Sequence, residues 1–394
     1  MHMEKIKNQI APIERITQGQ NHNFFGYYDL NTWSQDGKYH LYHSVGFDDR
    51  LPEKEDVAQL GMINMDGNNF VHLAKTTAWN FQQGAMLQWN PGAPNSEVVY
   101  NIREPEGYKG IIKNIHSGKE KVLELPVINL DPKGRYGLSI NFARMFDFRP
   151  GYGYAGNKDV FENSNTPEED GVFRIDLATG KGQLILSLKQ IWETLHKNGS
   201  PISNGKLLIN HINFNPDGSR FVFLARNFPQ EGRMWGTAVL TANADGSDLL
   251  LLSDHVYASH YYWKDPEHLL IYARHTLGDQ LYVMKDQSTK VEVVDTGYFL
   301  SDGHCSYSPD KEWILYDSYP DKENYRHLYL YNVSKKKGIT LASLYSYSVP
   351  VIDIRCDLHP RWNPAGNAIS FDSNHENHRH IYLMDIGDVM KKYF

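Results

Sequence analysis

The chain has 394 residues, of which 41% are hydrophobic, 22% charged and 13% aromatic, a composition typical of a folded globular protein rather than a disordered one. Its formal net charge of −7 argues against a general binder of nucleic acids or anionic membranes, because such proteins need an excess of basic residues. Two cysteines are too few for a disulfide scaffold.

Hydropathy and the N-terminal segment bear on location. No window approaches 18 consecutive apolar residues, so we expect no membrane-spanning helix. The opening residues MHMEKIKN lack the apolar stretch of a signal peptide. The sequence therefore predicts a cytoplasmic protein, with a periplasmic or secreted location as the alternative if a leader has been removed.

A short motif of an apolar strand followed by a turn recurs along the chain. Its turn is of the Pro-Asp-Gly type, in which proline presets one backbone angle and glycine tolerates a positive one. In chain order the seven copies are TWSQDG (32–37), QWNPG (88–92), NLDPKG (129–134), NFNPDG (213–218), YWKDP (262–266), SYSPD (306–310) and RWNPAG (361–366). Seven copies of one motif predict a repeat architecture.

Each repeat contains more than the motif. The turn is followed by an apolar strand, such as FVFL (221–224) or WILY (313–316), and most repeats then add a second hairpin. Four short strands in each of seven repeats predict an all-β protein, a seven-bladed β-propeller with four-stranded antiparallel blades that forms a single domain over residues 1–394. The alternative is a β protein with two domains.

The last and the third repeats depart from the pattern. The last ends in IYLMD (381–385), one strand short, and we expect IERI (13–16) to supply the outer strand that closes the ring. The spacing after the third motif is the longest between any two copies. It predicts a long insertion in blade 3, about residues 145–170, that forms part of a pocket wall.

Histidine and arginine recur at fixed positions of the repeat. The residue three positions before the motif aromatic is His211, His260, His304 or His359 in four consecutive repeats. Because inner strands begin on one face near the propeller axis, these imidazoles are expected to ring the channel there. The second strands return to the same face. At their ends, repeats two to five carry Arg103, Arg144, Arg226 and Arg274. This face is therefore predicted to bind an anion with planar carboxylate or sulfate groups.

A metal site is predicted on the same face. Cys356 lies three residues before His359, and a thiolate among imidazoles suits a divalent ion, zinc before manganese or iron. We predict that His260, His304, Cys356 and His359 hold the ion, which leaves His211 for chemistry or substrate contact. A site closed by four protein ligands is typically structural, so a structural role for the ion is the alternative to a catalytic one.

The blade pattern, with histidine before the motif turn, resembles that of oligogalacturonate lyases and propeller-type ulvan lyases, which are polysaccharide lyases with a TolB-like seven-bladed propeller. The similarity is strongest from Ile209 to Asp385. The motifs that carry the resemblance are NHINFNPDG (210–218), GHCSYSPD (303–310) and CDLHPRW (356–362). It implies that Cys356 stands where oligogalacturonate lyase has a glutamine metal ligand, and Arg361 where it has a further histidine. The zinc site of ulvan lyases, held by histidine and cysteine, is the nearer match.

The resemblance also implies roles for residues of blade 4 and its neighbours. Arg226 or Arg233 would contact the uronate or assist proton abstraction, with Asn210, His211 and Tyr261 nearby. Ulvan lyases have catalytic histidines in the early blades, whereas the matching stretches here, FQQGAMLQW (81–89) and YNIR (100–103), have none. Gln83 and Asn101 could bind a carboxylate there but cannot act as bases.

The predicted reaction is β-elimination on a uronate-containing oligosaccharide. Arginine or amide groups would neutralise the carboxylate, His211 would act as the base, and Tyr28 or Tyr261 would protonate the leaving oxygen. The catalytic candidates are His211, Arg226, Arg233 and Tyr261, and the substrate-binding candidates are Asn23, Tyr28, Gln83, Asn101, Arg144, Asn210 and Arg361. The predicted partner is an anionic oligosaccharide, with no nucleic acid and no membrane, and the oligomeric state stays open.

Two other functions fit the same fold. A glycoside hydrolase would need a pair of carboxyl groups, for which Asp29 and Asp302 are the candidates. A non-catalytic propeller that binds a glycan or a protein is also compatible with the early blades, since they lack histidines at the shared position. The fold alone does not decide among these functions.

Overall fold

Seven small antiparallel sheets are arranged as the blades of a propeller. The computed structural model describes residues 4–67, 69–229 and 234–393. Within each blade the strands lie in chain order, except that N-terminal strands form the outer edges of the last two blades. First strands of neighbouring blades contact each other, as those of blades 3 and 4 and of blades 5 and 6 do. The prediction of an all-β, seven-bladed propeller with four-stranded antiparallel blades is confirmed.

The strands of the early blades are short and regular. Blade 1 contains His22–Phe24, Tyr39–Val45, Ala58–Asn64 and Asn69–Thr76. Blade 2 contains Gln88–Trp89, Glu97–Glu104, Gly107–Asn114 and Glu120–Val122. Blade 3 contains Asn129–Leu130, Tyr136–Ser139, Gly171–Asp176 and Gly182–Ser187.

The late blades repeat the same plan. Blade 4 contains Leu207–Phe214, Arg220–Asn227, Thr237–Asn243 and Leu250–Ser253. Blade 5 contains Ala258–Trp263, His268–His275, Gly278–Lys285 and Val291–Val293. Blade 6 contains Cys305–Tyr307, Trp313–Asp317, Tyr325–Asn332 and Lys337–Tyr345, and blade 7 contains Arg361–Trp362, Ala368–Ser373 and His380–Asp385.

The N-terminal residues complete the last two blades. Glu14–Arg15 pairs with the last strand of blade 7, Glu14 opposite Leu383, so the predicted closing strand is confirmed. Ile6–Lys7 adds a fifth strand to the outer edge of blade 6, which the sequence did not predict. Both additions cover a sheet edge that would otherwise expose unpaired backbone groups.

Helices lie outside the blades. Phe142–Phe148 follows the second strand of blade 3 and begins the insertion that ends before Gly171. Leu188–Lys197, capped by Ser187, and the 3₁₀ turn Pro201–Ser203 connect blades 3 and 4. A second 3₁₀ turn, Ile352–Ile354, precedes blade 7, and Gly387–Tyr393 follows it. Among the described residues, no helix has the length and hydropathy needed to span a membrane.

Packing between blades explains why the second strands are so apolar. In the ring each blade has a neighbouring blade on both of its faces. The second strand Trp313–Asp317 is therefore buried at every position, and the second strand Arg220–Asn227 at all but the last. The first strands run toward the motif turns, which glycines with positive φ close, as at Gly218 and Gly366, both at +71°. We call the face with these turns the lower face and the opposite one the upper face.

Candidate functional site

Residues 25–32 leave blade 1 and enter the central channel, and we call them the plug. Phe24 pairs with His43 and Trp33 with His40, and among the described residues the strand-like pairing of the plug with its own sheet is confined to Thr32, whose carbonyl accepts from the N–H of Leu41. Asp372 of blade 7 accepts hydrogen bonds from the backbone N–H groups of Phe25 (3.2 Å) and Gly26 (3.3 Å). These bonds hold the start of the plug beside blade 7.

The plug crosses the channel to the opposite blades. The Tyr27 hydroxyl lies 3.1 Å from His211 Nε2 in blade 4, and the two rings stack with centroids 4.7 Å apart. The Tyr28 hydroxyl accepts from the backbone N–H of Tyr261 (2.9 Å) and donates to its carbonyl (2.6 Å). The Tyr28 hydroxyl therefore joins the plug to blade 5, while its ring also lies against the histidine cluster, with its centroid 5.1 Å from that of His304.

The four histidines at the shared repeat position converge, as their spacing predicts. The His304 ring centroid lies 4.0 Å from that of His260 and 4.2 Å from that of His359. The Tyr27 ring lies within 6.4 Å of all four imidazoles. His211 sits at a β-bulge with φ +50°, and His359 has φ +43°. This left-handed backbone is uncommon for residues other than glycine, and it belongs to the repeat position, because Met86 at the same position of blade 2 has φ +54°.

Two of the histidines, His304 and His359, have the geometry of metal ligands, and His260 lies beside them. The Nε2 atoms of His304 and His359 lie 3.1 Å apart. The Nδ1 of His304 is 2.9 Å from Asp317 and that of His260 is 3.0 Å from Asp302, which fixes the orientation of both imidazole rings. Burial and the neighbouring imidazoles lower the pKa of His304 and His359, so both are neutral, which is the form that binds metals.

A carboxylate completes this group. The ligand atoms of His304, Asp357 and His359 lie within 4.8 Å of one another. Burial alone would raise the pKa of Asp357, but Arg355 and Arg326 hold it well below its ordinary value, so the carboxylate is charged. Two imidazoles and a carboxylate fit a divalent metal ion.

Cys356 has different surroundings. Its thiol is buried, and burial raises its pKa to about 12. Among the described residues, the group of converging ligand atoms contains Asp357 and not Cys356. The role of Cys356 as a ligand stays a prediction, and with it the argument for zinc over manganese.

Arg226 is a buried cation without an anionic partner. It is 5% exposed, and none of the described carboxylates forms an ion pair with it. Its Nε has no hydrogen-bond partner. Burial and the nearby charge of Arg149 lower its pKa, and Tyr27 and Tyr152 are among its neighbours. Since a buried unpaired charge is costly, this position is suited to an anionic ligand.

A bridge of polar contacts joins the insertion of blade 3 to the loop before blade 7. Asp353 accepts from Arg149 Nε (3.1 Å) and from the backbone N–H of Gly151 (3.2 Å). Gln82 of blade 2 donates to the carbonyls of Asp353 and Arg355 (3.0 and 2.9 Å). Arg355 also donates to the Tyr152 hydroxyl at 2.9 Å, and the Tyr152 ring contacts that of His211 edge-on. The bridge thus reaches the histidine cluster.

Several other predicted site residues lie close to the cluster or the plug. Asn210 precedes His211, and its buried Nδ2 has no hydrogen-bond partner. The backbone of Gln83 packs against Gly26, where an added Cβ would lie 3.0 Å from the Gln83 carbonyl carbon. The Tyr261 hydroxyl donates to Asn213 at 2.9 Å, and Arg361 pairs with Asp372 at 2.8 Å. Their roles in substrate binding or catalysis stay predictions.

Three predicted substrate-binding residues are engaged elsewhere. Arg144 uses all five N–H donors, one on Asp159 at 2.9 Å and the rest on backbone carbonyls of residues 161, 164, 165 and 207. The Asn101 amide bonds to Val127 and Tyr154, and the Asn23 amide bonds to the carbonyls of residues 18 and 21. Arg233 lies outside the described residues.

Sequence reasoning missed some residues of the site. It named Tyr28 and Tyr261 but not Tyr27, and it weighed Asp302 only as a hydrolase carboxyl. It also missed Asp317 and Asp357. Asp357 lies two residues before His359, a spacing that places side chains on the same side of an extended chain, so this signal was available. Nothing in the sequence indicated the bridge across the insertion.

Comparison with solved structures gives the same propeller in proteins of known activity. An oligogalacturonate lyase in complex with manganese matches with a TM-score of 0.71 and 16% identity, over 99% of this chain and 96% of that one. Oligogalacturonate lyase from Vibrio parahaemolyticus matches with a TM-score of 0.68 and 16% identity, over 97% and 95%. The tricorn protease matches with a TM-score of 0.52 and 11% identity, over 93% of this chain and 34% of that one.

The comparisons by sequence add nothing further. No family model matches the chain, and no curated protein matches it significantly. The resemblance to oligogalacturonate lyases is thus confirmed as a likeness of fold along nearly the whole chain.

Proposed function

We propose that this protein is a lyase that cleaves uronate-containing oligosaccharides by β-elimination. The observation that carries the proposal is Arg226, a buried guanidinium to which none of the described residues offers an anionic partner. A uronate carboxylate would match its planar fork of donors. The full-length likeness to two oligogalacturonate lyases supports the same chemistry.

The proposed mechanism uses Arg226, His211 and Tyr27. Arg226 would bind the carboxylate and stabilise the negative charge that develops when the neighbouring C–H bond breaks. Burial and the charge of Arg226 lower the pKa of His211, so it is neutral and able to accept that proton at Nε2. The electron pair forms the carbon–carbon double bond as the glycosidic C–O bond breaks.

Tyr27 would complete the proton balance. Burial raises the pKa of Tyr27, which keeps its hydroxyl protonated and able to donate to the leaving oxygen. The hydroxyl then recovers a proton from His211, whose Nε2 is 3.1 Å away. No further reactant is needed, and both residues return to their starting state.

We further propose that His304, Asp357 and His359 hold a divalent metal ion, with His260, whose ring centroid lies 4.0 Å from that of His304, as the fourth candidate. Such an ion would act as a Lewis acid toward an oxygen of the substrate, or as a structural link between blades 5 to 7. Zinc and manganese are both compatible with nitrogen and carboxylate donors. Metal analysis of the purified protein should find one ion per chain, lost in His304→Ala but retained in Cys356→Ser. Loss of the ion in Cys356→Ser as well would restore the set with Cys356, and retention in His304→Ala would contradict both sets.

The decisive experiment follows the ultraviolet absorbance of the unsaturated uronate product. Purified, metal-loaded protein is incubated with oligogalacturonate, glucuronate-rhamnose and ulvan-type oligosaccharides. We expect Arg226→Ala to lower the rate by about 100-fold or more, the scale of losing a transition-state charge stabiliser. Arg226 has no carboxylate partner among the described residues, so the Arg226→Ala variant loses no ion pair. We therefore expect no decrease in its melting temperature from that cause.

The matched control is Arg274, the next-to-last residue of the second strand of blade 5, as Arg226 is in blade 4. Arg274 is exposed and pairs with Asp279, so Arg274→Ala should retain full activity. Tyr27→Phe should keep the stacked ring and lose most of kcat. Full activity in Arg226→Ala, or no product from any substrate, would overturn the proposal.

A further inference from the structure

Arg149 is a second arginine on the upper face whose donors are not all in use. It follows the helix Phe142–Phe148, and its Nε donates to Asp353 across the bridge at 3.1 Å. Among the described residues, its two Nη atoms have no hydrogen-bond partner, and neither of them is fully buried. Because 19% of the Arg149 side chain is exposed, a ligand can reach this pair of donors. The proposed mechanism does not use them.

The other arginines near the bridge provide a comparison. Arg326 and Arg355 both pair with Asp357, at 2.6 and 2.8 Å, so their charges are balanced within the protein. Arg226 has no carboxylate partner among the described residues, and its Nη atoms, unlike its Nε, are not fully buried. In this part of the described structure, the arginines with open Nη donors are therefore Arg149 and Arg226.

These two guanidinium groups lie close to each other and to the proposed base. Burial lowers the pKa of Arg226 most, and the charge of Arg149 lowers it next. The Tyr152 ring connects Arg149 to the base, because its centroid is 4.6 Å from the Arg149 guanidinium carbon and 5.5 Å from the ring centroid of His211. Arg149 is thus one aromatic ring away from the base. This spacing suits the next sugar of a chain better than the sugar that reacts.

An aromatic surface adjoins Arg149. Its guanidinium carbon lies 5.6 Å from the ring centroid of Trp235, a partly exposed residue between the second and third strands of blade 4. Phe148 packs edge-on against Trp235 with centroids 5.5 Å apart, and Phe228 packs against Phe148 at 5.2 Å. Two further rings therefore support the indole while part of its surface stays accessible. A sugar can pack its C–H face on such a ring, whereas a small inorganic anion would not use it.

We propose that Arg149 and Trp235 form a second anion subsite, which binds an acidic sugar next to the uronate held at Arg226. The inference rests on the proposed function, because it concerns the same oligosaccharide. The acidic group is a carboxylate or a sulfate ester, since both match the fork of a guanidinium. The subsite favours chains with acidic groups on neighbouring sugars over chains in which charged and neutral sugars alternate. Asp353 holds the guanidinium in position through Nε and leaves the Nη pair open.

The test measures binding by isothermal titration to the full-length Tyr27→Phe variant, in which turnover should be too slow to consume the probes. Galacturonate carries one carboxylate, and digalacturonate carries two on neighbouring sugars. Arg149→Met, added to this variant, should weaken digalacturonate binding by about 10-fold or more, the effect of losing hydrogen bonds to a charged group, and leave galacturonate binding unchanged. Trp235→Ala should also weaken the binding of digalacturonate and not that of galacturonate.

A second pair of probes separates carboxylate from sulfate. The pair is the disaccharide of glucuronate and rhamnose, with and without a sulfate ester on the rhamnose. If Arg149 binds sulfate, Arg149→Met weakens the binding of the sulfated disaccharide and not of the other. If it binds carboxylate only, the effect is confined to digalacturonate. Either result supports the subsite and identifies its ligand.

Asp353→Asn distinguishes a subsite from an ion pair that only holds the bridge together. The variant removes the charge of Asp353 but keeps the Arg149 cation and an oxygen that can accept from the Gly151 N–H. Digalacturonate should therefore bind at least as tightly as it does without this change. Arg274→Met, which removes an exposed arginine paired with Asp279, is the control and should leave the binding of every probe unchanged.

Four outcomes would overturn the inference. They are weakening of galacturonate and digalacturonate alike by Arg149→Met, no effect of Arg149→Met on any probe, weakening of digalacturonate by Asp353→Asn as strong as that by Arg149→Met, and no binding of any acidic probe. Failure of the proposed function looks different. In that case digalacturonate binds through Arg149, but the ultraviolet assay of the native protein shows no unsaturated product.

Discussion

Acid should destabilise this protein partly through one histidine of blade 1. His43 is fully buried, and its Nε2 accepts a hydrogen bond from the backbone N–H of Ala85 at 2.9 Å. A proton on Nε2 would place its N–H against the N–H of Ala85, so the charged form is disfavoured. Burial lowers the pKa of His43 to about 4. His40 on the same strand behaves alike, with burial lowering its pKa to about 3.

The magnitude follows from the difference between folded and unfolded pKa values. An unfolded histidine titrates near 6.5, so between pH 6.5 and pH 4 the unfolded state binds the proton and the folded state does not. The stability due to His43 is therefore fully present above pH 6.5 and is lost as pH falls. At pH 5 the loss is about 2 kcal/mol, or about 2 °C in melting temperature for a chain of this length.

The assay compares melting temperatures at pH 7 and pH 5, by circular dichroism, in the native protein and in His43→Gln. The glutamine Oε1 can accept a hydrogen bond from the Ala85 N–H but does not titrate. The difference between the melting temperatures at pH 7 and pH 5 should therefore be about 2 °C smaller in His43→Gln than in the native protein. His116→Gln, in an exposed turn, is the control and should leave the difference as it is. An equal pH dependence in His43→Gln and the native protein would refute the reasoning.

Three further predictions concern stability. Gly84→Ala should lower the melting temperature markedly, because the new Cβ would lie 2.3 Å from the His43 ring at a residue with φ +60°, and an unchanged melting temperature would contradict the close packing described here. Arg144→Met should cost about 3–5 kcal/mol in chemical denaturation, because it leaves the buried Asp159 carboxylate without its guanidinium. A loss below about 1 kcal/mol would mean that this network is not stabilising. Deletion of residues 1–17 should make blade 7 the first site of limited proteolysis, because its outer strand is removed. Unchanged protease resistance would argue against closure by this strand.

The fold could be predicted because its signals are local and repeated. The motif turns, such as NPDG at 215–218, combine proline and glycine at positions that the turn geometry requires, and each is followed by a strand. Seven copies make the number of blades countable, and the missing strand of the last copy pointed to residues 13–16. The fifth strand of blade 6, Ile6–Lys7, had no such signal, because two residues carry no periodicity.

The sequence by itself determined which side chains face the axis, because a fixed position in a repeat becomes a fixed place in a ring. His211, His260, His304 and His359 therefore meet, as their spacing predicts. Only the tertiary structure decided what surrounds them. The plug carries Tyr27 from blade 1 across the channel to His211, a contact between residues 184 positions apart. No local sequence pattern encodes this contact, because the plug is not a regular strand. Its path depends on the blades on the opposite side of the channel.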